Sequence, residues 1–253
     1  MRGPTAGAGL VASGRLAWLD IARGIALLAM AIYHFTWDLS VFGVIDPWVP
    51  FETPFREFAR SIAATFLFLV GIGLVIGHGE GIRWRSFWRR FAMIAGAAGL
   101  ITAGTLVATP QGFIFHGILH MIAIGSLAGL ALVRAPWPLA VATGLLVAWV
   151  GLTYESTFFD ARWLWWTGLA TERPVSNDFV PFFPAFAAIA FGIAAAKLLR
   201  IGRESTGDRA VGRAAPSALW RPFAWAGRHS LLVYLIHQPI LIGVLWVALQ
   251  VLG

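Results

Sequence analysis

The chain has no cysteine, which removes disulfides, thiolate nucleophiles and any zinc or iron-sulfur centre held by sulfur. It is also poor in charge. Asp, Glu, Lys and Arg make up only 12% of the residues, against 58% that are hydrophobic. That leaves too little polar side chain to cover a soluble globule of 253 residues, so a soluble fold fits poorly and a polytopic membrane protein fits well. The net charge of +7 has the sign of a nucleic-acid binder, but the basic residues sit in alternating loops between apolar runs, where membrane topology accounts for them. Membrane lipids, and no nucleic acid, are the expected surroundings.

What is present is organised around Leu16 to Asp38, LAWLDIARGIALLAMAIYHFTWD. It is apolar enough to span a bilayer, yet carries Asp20, Arg23, His34 and Asp38. Each charge near mid-depth costs roughly 2.5 to 3.5 kcal/mol. On a helix, the step from Arg23 to His34 returns to within about 20° of the same face, and Asp38 stays nearby. The segment therefore has one polar stripe, with Asp20 and Arg23 roughly 16 Å from His34 along the axis.

Six further apolar spans follow: about 60–76, 91–107, 114–133, 139–153, 178–198 and 230–252. Residues 1–14 read as a mobile tail, ahead of an uncleaved signal anchor and one transmembrane domain over 15–253. Gly71, Gly73 and Gly77 allow close helix approach. The Arg and Trp residues of 83–90 read as an interfacial anchor, as do Trp163, Trp165 and Trp166. The basic connection 200–228 is the longest hydrophilic stretch. With a cytoplasmic N-terminus, the inner segments collect most of the arginines, including the 83–90 and 200–228 groups, whereas the outer ones hold Arg56, Arg60, Arg162 and Arg173. The expectation is an all-α bundle of about seven transmembrane helices with its N-terminus in the cytoplasm. His34, Asp38, His116, His120 and Asp178 then fall toward the outer half.

Five motifs point further. RLAWLDIARGIALLAMAIYH at 15–34, FLFLVGIGL at 66–74, GILHMIAIG at 117–125, DFVPFFP at 178–184 and GRHSLLVYLIHQP at 227–239 together resemble the bacterial branch of the heparan-alpha-glucosaminide N-acetyltransferase catalytic-domain family, over nearly the whole chain from Arg15. Arg23 and His34 also resemble the arginine and histidine pair of the wider transmembrane acyltransferase superfamily. The resemblance implies transfer of an acetyl group from cytoplasmic acetyl-CoA, by way of a histidine, to an amino sugar or glycan across the bacterial inner membrane.

Such chemistry needs a base for the acceptor's proton, donors for the developing oxyanion and a path for a bulky anionic donor. His34 is the candidate base or transient acyl carrier, and Asp38 one turn on could orient its ring or simply cap the helix; His120 completes the catalytic candidates. Arg23, oriented by Asp20, could hold the donor, or the two could form only a neutralising pair. His237 is assigned to the donor side and needs a buried partner in the first or fourth span. Asp178, Trp37 and His116 are the acceptor-binding candidates, although Asp178 could equally be the N-cap of the sixth span. His116 and His120 share a helix face at i,i+4, but without a third ligand no metal is expected. A small-solute or lipid-linked-sugar transporter is the alternative, and a membrane scaffold a weaker one; whether the chain forms a homodimer stays open.

Overall fold

The computed structural model describes residues 16–201 and 217–252. The tail at 1–14 and most of the 200–228 connection, including Arg203, Arg209 and Arg213, lie outside the described residues. Among the described residues eight α-helices follow one another: α1 (Ala17–Val41), α2 (Thr53–His78), α3 (Trp84–Ala108), α4 (Ile118–Val133), α5 (Trp137–Thr153), α6 (Phe182–Leu198), the short α7 (Arg221–Arg228) and α8 (Ser230–Leu252). No strand occurs among the described residues. The all-α membrane bundle expected from composition is the fold observed.

Four of the helices, α1, α2, α3 and α8, are long and apolar enough to cross a bilayer, and α4, α5 and α6 are shorter apolar helices of 16 or 17 residues. At about 1.5 Å per residue the shorter ones fall just below a hydrocarbon core of about 30 Å. For α4 and α6 the deficit lies at the start. Both begin four residues later than the apolar runs predict, because 113–117 and 177–181 leave the helix and run side by side. Val180 N–H donates to His116 O at 3.0 Å and Asn177 N–H to Gly112 O at 2.8 Å. Extended backbone at membrane depth persists only where protein satisfies its polar groups or where it lines a cavity.

The buried centre lies where α2, α4 and α6 meet, around Leu67, Met121, Ile189 and Ile193. Of the three glycines expected to bring helices together, Gly71 does so: a Cβ there would collide with the α6 backbone at Ile189 and Gly192. Gly73 instead faces two arginine side chains. A separate helix at 221–228 is not among the expected elements; α7, strongly amphipathic, packs along α1 and leads directly into α8.

Candidate active site

A cavity of about 1260 Å³ runs through the bundle. Its wall follows α1 from Leu16 to His34 and α2 from Arg60 to Gly77, a length of roughly 25 Å at helical rise. It therefore reaches from the end of the bundle where α1 begins to the end where α2 begins. The two ends differ in chemistry.

At the first end stand Arg23, Arg90 and Arg228, with Asp20 and His229. Asp20 is 2% exposed and accepts from Arg23 Nη1 at 3.3 Å. The other Arg23 nitrogen and Arg90 Nη1 lie 3.4 and 3.8 Å from where a Cβ on Gly73 would sit, so the two guanidinium groups converge over a bare stretch of α2. Guanidinium forks match phosphate oxygens. The sequence of 83–90 reads as an interfacial anchor, yet Arg90 belongs to the cavity wall. Its neighbours Arg85 and Arg89 do not line the cavity, and nothing in the sequence of 83–90 separates Arg90 from them.

Further in, the wall carries Tyr33, His34, Asp178 and Tyr234. Asp178 does not cap its own helix, whose N-cap is Pro181. Its Oδ2 accepts from Ile118 N–H at 2.9 Å, capping α4, and the Tyr234 side chain from α8 is hydrogen-bonded to the same carboxyl. At the far end the rim is of mixed charge, with Arg60, Glu155, Glu172 and Arg173, and Trp165 lines the wall beside it.

His34 faces the cavity, but Asp38 does not orient its ring. Asp38, 3% exposed, accepts instead from Gln238 Nε2 of α8 at 2.6 Å. The expected buried partner of His237 is His34 itself, with ring centroids 5.0 Å apart. His237 stands behind His34, outside the cavity wall. Trp37 packs on Phe51 and Tyr33 near the end of α1, also outside the wall.

His116 and His120 form a separate pair, with ring centroids 5.8 Å apart, and neither lines the cavity. Both nitrogens of His120 are engaged: Gly117 N–H donates to Nδ1 at 3.2 Å, and Nε2 meets Thr102 Oγ1 at 3.2 Å. The Thr102 hydroxyl donates onward to Ile114 O at 2.6 Å. The ring thus ties the first turn of α4 to α3, using up the capacity that proton transfer would need. His116 Nδ1 donates to Val180 O at 3.0 Å, joining the two extended segments. No cluster of three or more metal-ligating side chains occurs among the described residues.

With this geometry in view, comparison with family models matches residues 15–239 to the heparan-alpha-glucosaminide N-acetyltransferase catalytic family. The chain belongs to this family. Comparisons with curated proteins and with solved structures gave no match. The family is one of membrane acetyltransferases, and its match covers α1 through the middle of α8. Every cavity-lining residue named above therefore lies within the matched region.

Proposed function

We propose that the protein transfers an acetyl group from acetyl-CoA, entering at the arginine-lined end, to an amino sugar or glycan entering at the opposite rim, with His34 as the base that takes the acceptor's proton. The observation that carries this reading is the cavity, which joins a cluster of guanidinium groups suited to the donor's phosphates to the single histidine in its wall that comes from a membrane-spanning stretch of α1. The donor is anionic and long, and a channel of roughly 25 Å gives its pantetheine arm room to reach His34 from phosphates held near Arg23 and Arg90. The mixed-charge rim with its tryptophan suits a sugar, whose hydroxyl and amino groups pair with carboxylates while its apolar face stacks on an indole.

With the arginine-rich segments placed inside by the positive-inside rule, the arginine-lined end faces the cytoplasm, the source of the donor, and the acceptor rim faces outward across a bacterial inner membrane. The Asp20–Arg23 pair sets the orientation of one donor contact. Asp178 holds α4 and α8 at the acceptor side and keeps a carboxyl oxygen at the wall.

A cavity with both ends lined by polar groups also fits the second reading, a permease for a small solute or lipid-linked sugar. Acetyl-CoA dependence separates the two. Label transfer from acetyl-CoA to a panel of amino sugars and glycans, by purified protein, is the deciding experiment. The expected outcome is labelled sugar that disappears in His34→Ala; solute uptake into proteoliposomes without any acetyl-CoA requirement would overturn it.

A further inference from the structure

Behind His34, between α1 and α8, three buried acceptor atoms have no hydrogen-bond partner among the described residues: Asp38 Oδ2, Gln238 Oε1 and His237 Nε2. Their sister atoms are all engaged. Asp38 Oδ1 accepts from Gln238 Nε2 at 2.6 Å, and His237 Nδ1 meets Tyr234 O at 2.6 Å. A carbonyl oxygen only accepts, so His237 carries its proton on Nδ1 and presents a bare lone pair on Nε2. Helix geometry locks that tautomer, because the carbonyl lies three residues back on the same helix face. Buried unpaired acceptors are costly, of order 1–3 kcal/mol each, and three beside one cavity-facing histidine form a place where a proton is stabilised on arrival.

We infer that His237 is the proton store for His34: it takes up, through the His34 ring, the proton that the acceptor gives up, and holds it until the leaving thiolate needs it. The inference rests on the acetyltransferase reading above. The acceptor's N–H or O–H bond breaks as its nitrogen or oxygen bonds to the acetyl carbon. That proton goes to the cavity-facing nitrogen of His34, and once the two rings, whose centroids lie 5.0 Å apart, turn into hydrogen-bond contact, the proton on the other His34 nitrogen passes to Nε2 of His237. The carbon–sulfur bond then breaks, the electron pair leaves with the CoA sulfur, and the proton returns through His34 to make the thiol. No oxidant, metal or further reactant enters the balance.

Tyr33 lies against the His34 ring and Tyr234 against the His237 ring, and the bonded pair of Asp38 on α1 and Gln238 on α8 stands next along the two helices. Asp38 is the carboxyl among them. It is held against α8 at the residue following His237, where its free oxygen favours a cation on the neighbouring ring. His237 acts through His34 and is a positioning residue rather than one that touches substrate.

The test measures turnover of full-length protein with labelled acetyl-CoA and glucosamine in mixtures of light and heavy water. A relay moves two protons in one step, so the wild-type proton inventory is expected to curve. His237→Gln is expected to lower kcat by about 100-fold, the lower end of what positioned proton transfer contributes, to leave both KM values unchanged and to make the inventory linear. A packing role would lower turnover without changing the shape of that plot. Transfer that is lost in His34→Ala but retained at the wild-type rate in His237→Gln overturns the relay alone, as does a linear wild-type inventory, which decides the matter even where the variant is not recovered folded. Absence of transfer in the wild type overturns the acetyltransferase reading, and the relay with it.

Discussion

The Asp178 carboxylate accepts from the Ile118 backbone N–H at 2.9 Å, so a residue on the approach to α6 caps α4 from sixty positions away in the chain. The two helices are too short to cross the hydrocarbon core unaided, and this bond, with the His116–Val180 pairing, joins the extended segments that complete them. The same carboxyl meets Tyr234 of α8, which places three helices in register beside His34.

Removing that carboxyl is expected to act first on stability. Asp178→Ala leaves the Ile118 N–H and the Tyr234 hydroxyl without their partner, at a cost of about 1–3 kcal/mol, the range for a lost cap or a stranded buried donor. Asp178→Asn keeps an oxygen for the Ile118 N–H and is expected to cost less. Thermal unfolding of both variants in detergent checks the order, with Asp178→Ala lowest.

Backbone contact between α1 and α7 makes a second prediction. A Cβ on Gly24 would meet the Phe223 carbonyl, and one on Gly227 the Asp20 carbonyl; both obstacles are backbone and cannot swing aside. Gly24→Ala and Gly227→Ala are each expected to cost about 1–3 kcal/mol as overpacking and to disturb the Asp20–Arg23 pair. Gly96 on α3 has open space around its Cβ position, so Gly96→Ala is expected to be neutral or to stabilise by about 0.5–1 kcal/mol. Melting temperatures of the three variants side by side test this contrast.

How far the sequence could be read follows from the same residues. The spans were legible because apolar length is set by the bilayer and needs no partner. His34 and Arg23 were legible because charge in an apolar run stands out on one helix. Arg90 was not, since an arginine beside tryptophans has the same signature whether it faces headgroups or a cavity; only the converging guanidinium groups over Gly73 distinguish the two. The Asp38–Gln238 bond joins residues two hundred positions apart, and no periodicity within one helix reports a pairing between two. The later starts of α4 and α6 were hidden because an extended apolar segment has the same composition as a helical one.

His120 supplies a prediction that separates structure from chemistry. Its two ring nitrogens are spent on Gly117 and Thr102, so His120→Ala is expected to lower the melting temperature, through loss of two hydrogen bonds worth about 0.5–1.5 kcal/mol each. The fall in kcat at a temperature where the variant is folded is expected to be much smaller than in His34→Ala. Equal losses of kcat in the two variants would place His120 in the chemistry after all.

The donor end gives the prediction with the sharpest internal control. Arg23 and Arg90 converge on the same point of α2 from different helices, so both are expected to contact the donor's phosphates, and neither is close to His34 along the cavity. Loss of one charge-assisted contact costs about 1.5–3 kcal/mol, which makes Arg90→Ala raise the KM for acetyl-CoA by about tenfold to a hundredfold, with little change in kcat. Arg90→Lys keeps the charge but not the planar fork, and is expected to fall between the two. Added salt narrows the gap between wild type and variant, because the lost interaction is electrostatic and the cavity mouth is open to solvent. Arg89, next in the chain but outside the cavity wall, has the same charge and the same distance from the membrane edge. If Arg89→Ala raises KM as much as Arg90→Ala, the effect belongs to the basic surface as a whole; if only Arg90→Ala does, the donor sits where the two guanidinium groups meet.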